Sequence, residues 1–414
     1  MSLKRLEALR QDMKKCVRCS LCKIIPLPTI QQTRFTSACP PVDEYHFHAY
    51  SGGGMSVMAL SLLDKRIEVD EDLAQIVSAC TSCGMCDVAC KFIMAAERQE
   101  VILALKNYIY ESGLGNTPKI KKKTMNKHWA EGLNLKTLPE GKSDILLFVG
   151  AGANQHSDHA ITARNLAKLL LHAGVDFGIL EGDEPESGIE SYWTGRSQEF
   201  HRIAQMVVNQ LDKTGVKKII TLCGEDLGVF RSKYPQIGFP TKATVTHASE
   251  FLLRLIKKRK IRLTHSIEHT VTYHDPCYLG RQSEPFKKWK GEERQTHGVM
   301  RYFDPPKPIN YGVKGVFDAP RDILRKIPGL TFNEMHRIRE YSYCCGGGGG
   351  VPDSHPNVSR SAAIQRINEA RDVNAEIIIT ACQHCRYNLT RWQEDDPVPV
   401  IDLVDLVYRA VGVE

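Results

Sequence analysis

A helical domain followed by an α/β domain made of two repeating halves is the fold the sequence predicts, on three observations. Strand-like alternation is scarce before residue 144; beyond it short apolar runs alternate with helical patterns; and that second region repeats itself. At 414 residues, 42% apolar and 25% charged, the chain has ordinary globular composition and length for two or three domains. No window approaches the ~20 consecutive apolar residues that a spanning helix needs. The opening MSLKRLEALRQDMKK is charged and lacks a secretory apolar core, so a cytoplasmic, reducing setting is expected. A net charge of +7 over so long a chain implies no nucleic-acid partner.

Residues 1–115 read as the helical domain. Asp70 to Val77 is a capped helix leading to Cys80, and Ala95 to Tyr110 carries Val101, Leu105, Tyr108 and Ile109 at helical spacing before Gly113 stops it. Residues 116–143, with five lysines between Lys119 and Lys127, read as a basic, solvated linker. In residues 144–264, Ile145–Val149, Val175–Leu180 and Ile219–Leu222 read as buried strands, and Ile161–Leu171, Phe200–Leu211 and Ala248–Ile256 as helices. In residues 265–414, Val271–His274 and Ile377–Thr380 read as strands and Val358–Arg371 as a helix. The alternation predicts βαβ units, a mainly parallel sheet and a Rossmann-like α/β type.

Fourteen cysteines are the anomaly for a reducing compartment, where clustered thiols more often serve metal or redox chemistry than disulfides. Cys16, Cys19 and Cys22 are followed at a distance by Cys39; Cys80, Cys83, Cys86 and Cys90 form a second group. C-x2-C-x2-C plus a distant fourth cysteine is the spacing of a two-cluster ferredoxin, in which the fourth cysteine ligates the other cluster. Soft thiolates suit iron–sulfur units. The expected pairing is Cys16, Cys19, Cys22 and Cys90 on one [4Fe-4S] cubane and Cys80, Cys83, Cys86 and Cys39 on another. Zinc is the competing ion, but zinc sites present separated C-x2-C pairs or histidines, and neither triplet contains histidine. Sixteen residues separate Cys22 from Cys39, where a compact ferredoxin has three, and Lys91 stands after Cys90 in place of proline.

The third group lies in the second half: Cys277, the adjacent pair Cys344 and Cys345, then Cys382 and Cys385. The repeat becomes visible here. Strand VTYHD runs to Cys277, and IIITACQHC places Cys382 and Cys385; in the first half ILLFV runs to Ala151, and IITLCGED places Cys223 and Asp226. Gly188 to Cys223 spans 35 residues and Gly346 to Cys382 spans 36. Ala151, Glu186, Ser187 and Asp226 thus stand where the second half has cysteines, so the first half reads as degenerate. Its surviving Cys223 reads as an inert core thiol.

Two adjacent cysteines on one inorganic unit demand a permissive backbone, and Gly346 to Gly350 supply five glycines in a row. Gly346, Gly347 and Gly348 are the expected cofactor-facing residues, with amides free to point at sulfide or thiolate charge. The competing nucleotide loop would need the Lys-Ser/Thr of a P-loop, which is absent from the run.

This pattern resembles the CCG domain of heterodisulfide reductase. The whole order of cysteine groups is similar to the fused, D-type catalytic polypeptide of that enzyme, equivalent to its C-type and B-type polypeptides joined. The CYLGR and CCGGGGG wording resembles the catalytic-like component of the membrane complex accompanying dissimilatory sulfite reductase. The chain is also similar to electron-transfer subunits of class II benzoyl-CoA reductase and, distantly, to iron–sulfur subunits of glycolate and anaerobic glycerol-3-phosphate dehydrogenases. The resemblance implies a non-cubane [4Fe-4S] cluster on Cys277, Cys344, Cys345, Cys382 and Cys385, at which a disulfide of a small molecule or protein is reduced or formed. It implies a flavoprotein or cytochrome-b-like partner, with any membrane association arising through that partner. His274, Arg281 and His384, beside the cluster cysteines, are candidates for proton donation or anion binding. The rival expectation is a pure relay subunit of a larger oxidoreductase, with no disulfide substrate.

Overall fold

The computed structural model describes residues 2–30, 32–115, 128–296, 300–394 and 396–412; the run Lys119–Lys127 of the expected linker lies outside them. The N-terminal region is helical, as its periodicity predicts. Helices Gly52–Leu63, Glu71–Ser78 and Arg98–Glu111 pack around Met55, Leu73, Val77, Val101 and Leu105. Asp70 caps the second of these by accepting from Leu73 N at 2.8 Å, satisfying an otherwise orphaned amide. The third begins at Arg98 rather than Ala95, because Ala95 adopts a left-handed conformation that closes the preceding helix Met85–Met94. Before residue 136 the described residues pair strand-like only at an isolated bridge, Ile24 to Ser37.

Eleven short strands follow among the described residues: β1 (Lys136–Leu138), β2 (Ile145–Phe148), β3 (Gly178–Leu180), β4 (Lys218–Thr221), β5 (Thr244–His247), β6 (Thr270–Tyr273), β7 (Glu292–Thr296), β8 (Met300–Asp304), β9 (Thr331–Phe332), β10 (Ile377–Thr380) and β11 (Val400–Asp402). One parallel sheet runs β1-β3-β2-β4-β5 and a second runs β9-β6-β10-β11; β7 and β8 form an antiparallel ribbon. The inner strands β2, β4, β6 and β10 are largely apolar or β-branched and buried over their last three residues, as strands covered on both faces are. A single hydrophobic core spans both sheets, and helices Ser157–His172 and Leu403–Val411 meet across it, with Thr162 and Asn165 donating to Asp405 at 2.9 Å.

The turns after β4, β6 and β10 carry Cys223, Cys277 and Cys382, and Cys385 lies in the first turn of the helix Gln383–Arg391 that follows β10. The carboxyl ends of parallel strands are where open α/β sheets bind ligands. The helical region docks against this end. Tyr278 donates to Ser82 O at 3.1 Å, Lys106 to Trp193 O at 3.1 Å, and Asn107 to Gly195 O at 2.9 Å.

Candidate metal centre

Three nests of cysteine succeed one another. Cys16, Cys19, Cys22 and Cys90 line one pocket together with His48, Gly53 and Arg98. Cys39, Cys80, Cys83 and Cys86 line a second with Gly52, and Cys22 lines both. These are the groupings the cysteine spacing predicts. Cys19 is exposed, so the first nest reaches the surface.

Helix Gly52–Leu63 starts between the two nests. A Cβ on Gly53 would stand 3.4 Å from the sulfurs of both Cys16 and Cys22, and one on Gly52 would stand 3.2 Å from that of Cys86. The backbone of Gly52 and Gly53 therefore runs between the two pockets, with no room for a Cβ at Gly52, which would meet Cys86 Cβ at 2.9 Å, and a Cβ at Gly53 in direct contact with sulfur. Arg98 is a residue that the sequence reading missed. Buried, it donates through Nε to Cys90 Sγ at 3.0 Å and through Nη1 to Ser56 Oγ at 3.0 Å, while Nη2 has no partner.

The sixteen-residue spacer before Cys39 is docked onto the second half. Phe35 stacks on His336 at 5.4 Å, Arg337 donates to Ser37 O at 2.9 Å, and Asp43 accepts from Tyr343 and Gln365.

The third nest collects all five expected cysteines. Cys344 is in hydrogen-bond contact with Cys277 and with Cys345. The sulfurs of Cys345 and Cys385 are 3.2 Å apart, and Cys385 N donates to Cys382 Sγ at 3.4 Å. Gly346 N donates to Cys344 Sγ at 3.3 Å and Gly347 N to Cys345 Sγ at 3.4 Å, the amide geometry expected of the glycine run. Gly348 and Gly349 press instead on the helical region, where a Cβ would meet Thr81 O at 3.0 Å and Cys80 O at 2.5 Å respectively. Cys83 of the second nest contacts Cys344 of the third.

His274 is buried, accepts at Nδ1 from Arg366 Nε at 3.2 Å, and places a ring nitrogen within 4.8 Å of the sulfurs of Cys345 and Cys385. Burial, then Arg366, holds its pKa down to about 3, so it is a neutral ring with its proton on Nε2. Arg281 donates through Nε and Nη1 to the carbonyls of Cys83, Ser342 and Glu340, which makes it a clamp between nests, and leaves Nη2 unpartnered. The side chain of His384 is 44% exposed, and its Nδ1 lies 3.5 Å from Glu225 Oε1.

Cys223 differs from expectation. It is buried, as a core thiol should be, but its Sγ lies 2.6 Å from Glu225 Oε2 and in contact with Cys382. The strand it follows, β4, ends facing the third nest, which one half of a sequence repeat cannot reveal. Of the positions matching cysteines in the other half, Glu186 is exposed and Ser187 bonds Asp226.

The donor set fits iron–sulfur units. Burial pushes the thiols of Cys39, Cys80, Cys86 and Cys90 upward, so holding them as thiolates requires a cationic unit between them. Amides aimed at sulfur and the unpartnered Nη2 atoms of Arg98 and Arg281 supply donors such a unit would accept.

Known proteins agree. Residues 12–92 match the family model of a 4Fe-4S dicluster domain and residues 301–390 that of a cysteine-rich domain, CCG. The chain is 31% identical over 364 residues to the D-type polypeptide of the dihydromethanophenazine:CoB–CoM heterodisulfide reductase of Methanosarcina mazei, covering 83% of this chain and 80% of that one. The Methanosarcina barkeri polypeptide of the same name is 28% identical over 99% of this chain and 97% of its own length. An EtfAB:quinone oxidoreductase of Syntrophomonas wolfei is 26% identical over 66% of this chain, which spans 35% of that protein. The molecule combines a ferredoxin-like N-terminal domain with parallel α/β sheets and is an iron–sulfur electron-transfer protein of the oxidoreductase type. By this similarity the chain belongs to the heterodisulfide reductase family, in its D-type branch.

Proposed function

We propose that the chain conducts electrons singly along its three cysteine nests to a site of disulfide reduction or formation, as an iron–sulfur subunit of a larger redox complex. The continuity of the nests is the observation that carries this: Cys22 lines the first two pockets, and Cys83 touches Cys344. In this reading Cys16, Cys19, Cys22 and Cys90 hold one [4Fe-4S] cubane, Cys39, Cys80, Cys83 and Cys86 a second, and Cys277, Cys344, Cys345, Cys382 and Cys385 a non-cubane [4Fe-4S] cluster. When bound, these groups supply one-electron carriers and, at the third nest, iron that can take a thiolate. Arg98 and Lys106 set positive charge at the first two nests, Lys106 donating to Cys80 O at 2.8 Å. Gly52 and Gly53 keep the pockets thinly separated, and Arg281 holds the third against the second.

The domain reading is a helical ferredoxin domain over residues 1–115, a linker over 116–143, a degenerate CCG half over 144–264 and a complete CCG half over 265–414. Corresponding strand orders, β3-β2-β4-β5 and β9-β6-β10-β11, support a duplicated Rossmann-like unit. The M. mazei relative is by name a CoB–CoM heterodisulfide reductase, which favours disulfide chemistry; the S. wolfei relative is by name an EtfAB:quinone oxidoreductase, which favours a relay. A flavoprotein or cytochrome-b-like subunit is the proposed partner, in the cytoplasm or at a membrane through that partner. Among the described residues no helix is long and apolar enough to cross a membrane.

Anaerobically prepared protein should carry roughly twelve irons, from three four-iron units. Reduced protein should be reoxidised by a small organic disulfide, with two electrons consumed per disulfide cleaved. Failure of every disulfide tested, with iron complete, selects the relay; iron near eight removes the third cluster.

A further inference from the structure

The terminal nest is not made of sulfur alone. Cys223, Glu225, Cys382 and His384 each offer one ligand atom, and the four atoms all lie within 4.8 Å of one another. Glu225 is the hub: its Oε2 is 2.6 Å from Cys223 Sγ and 3.1 Å from Cys382 Sγ, and its Oε1 is 2.9 Å from Cys382 Sγ and 3.5 Å from His384 Nδ1. Cys223, Glu225 and Cys382 are at least nine-tenths buried.

The donors come in matched pairs. Cys223 and Glu225 follow β4, and Cys382 and His384 follow β10, in each case two residues apart and at the carboxyl end of a central parallel strand. The two sheets thus aim a Cys-x-Glu and a Cys-x-His at a single point. Glu225 is a buried carboxylate on which two cysteine thiols converge, and among the described residues His384 is the basic side chain placed beside it. Two thiolates, a carboxylate and an imidazole are a ligand set that iron(II) or zinc(II) takes in tetrahedral geometry.

The geometry points to a mononuclear iron(II) or zinc(II) site formed by Cys223, Glu225, Cys382 and His384, placed where the first half has lost its cysteines and separate from the iron–sulfide unit of the third nest. It rests on the proposed function only at Cys382, which would serve both centres. The ion would neutralise the carboxylate, with His384 as the exposed ligand.

A mononuclear ion brings no inorganic sulfide, whereas [4Fe-4S] units carry iron and sulfide in equal number. Protein isolated without air is assayed for iron, zinc and acid-labile sulfide, beside His384→Ala, whose side chain is half-exposed and meets Trp193 edge-on, and Glu225→Gln. The expected result is an excess of iron plus zinc over sulfide of one ion per chain in the parent, lost in both variants with sulfide unchanged. Which metal accounts for the excess distinguishes the two ions; if iron, Mössbauer spectra show one ferrous site that the variants lack. Equal metal and sulfide in the parent, or metal and sulfide falling together in the variants, overturns the site. Sulfide near eight with the excess ion present removes the third cluster and leaves this ion standing.

Discussion

Arg281 donates through Nε to the carbonyl oxygen of Cys83 at 2.7 Å, tying a turn of the second nest to the segment that leaves Cys277. Its Nη1 serves Ser342 O at 2.7 Å and Glu340 O at 3.1 Å. One buried guanidinium therefore fixes three backbone segments around the contact between Cys83 and Cys344. Replacing it with alanine strands buried carbonyls at ~1–3 kcal/mol each. Hydrogen exchange of residues 80–84 should then rise tenfold or more, since each 1.4 kcal/mol is a factor of ten. Strands β2 and β4 should be unaffected. Arg281→Lys, lacking the planar fork, should recover only part of the protection. Unchanged exchange at 80–84 would show that the docking does not depend on this clamp.

Arg98 offers an electrochemical test. It is buried with Nε 3.0 Å from Cys90 Sγ, and a reduced iron–sulfur unit carries one more negative charge than the oxidised one. Losing a charged hydrogen bond worth about 1.5–3 kcal/mol makes reduction harder by roughly 60–130 mV for one electron. In Arg98→Gln, potentiometric EPR should show one ferredoxin-type signal moved negative by that amount and the other nearly unmoved. Two signals shifting equally would contradict the assignment of Cys90 to the first nest alone.

The cysteine triplets at residues 16–22 and 80–86 were legible because their spacing is written locally, within a turn or two of chain. Cys39 and Cys90, in contrast, reach their nests from far along the sequence. The strands that can be read, such as Ile377–Thr380, are apolar on both faces because helices cover them. Thr331–Phe332 and Val400–Asp402, two and three residues long, sit at sheet edges and carry no such run. The ribbon Glu292–Thr296 with Met300–Asp304 is charged, so alternation fails there. Arg98 reads as a surface cation in its helix, and Glu225 as a turn acid; only tertiary packing sets each against sulfur. Cys223 was visible as a thiol, but its neighbour Cys382 is 159 positions away.

Gly349 tests the packing of the glycine run on the second nest. Its φ is +74°, and a Cβ would stand 2.5 Å from Cys80 O, a backbone atom that cannot swing aside. Gly174, with φ +65° and nothing within 4 Å, isolates the conformational part of the cost. Gly174→Ala should cost about 1–2 kcal/mol for the left-handed conformation alone. Gly349→Ala should cost measurably more in anaerobic denaturant unfolding and should also disturb the EPR of the second nest. Equal losses in the two variants would mean that loop 344–350 and loop 80–82 are not in van der Waals contact.

Glu184 makes stability depend on pH away from any cysteine. Its Oε2 accepts from Val149 N at 2.7 Å and Gly150 N at 2.5 Å, which favours the carboxylate, while its Oε1 is buried without a partner, and burial outweighs the two amides. Burial pushes its pKa up to about 8, against an ordinary 4.5. The folded state therefore holds the proton more tightly than the unfolded chain does. Its contribution is complete below pH 4.5 and is lost progressively as pH rises to 8, with a slope of up to about 1.4 kcal/mol per pH unit. Glutamine retains an acceptor for both amides and cannot ionise. Glu184→Gln should match the parent in unfolding midpoint near pH 5 and exceed it increasingly toward pH 8. Asp226, which burial raises to about 7, contributes the same sign in both proteins, and its repulsion of Glu184 is part of the difference between them. A gap between the two midpoints that stays constant from pH 5 to pH 8 would mean that this carboxyl is already ionised in the folded protein at pH 5.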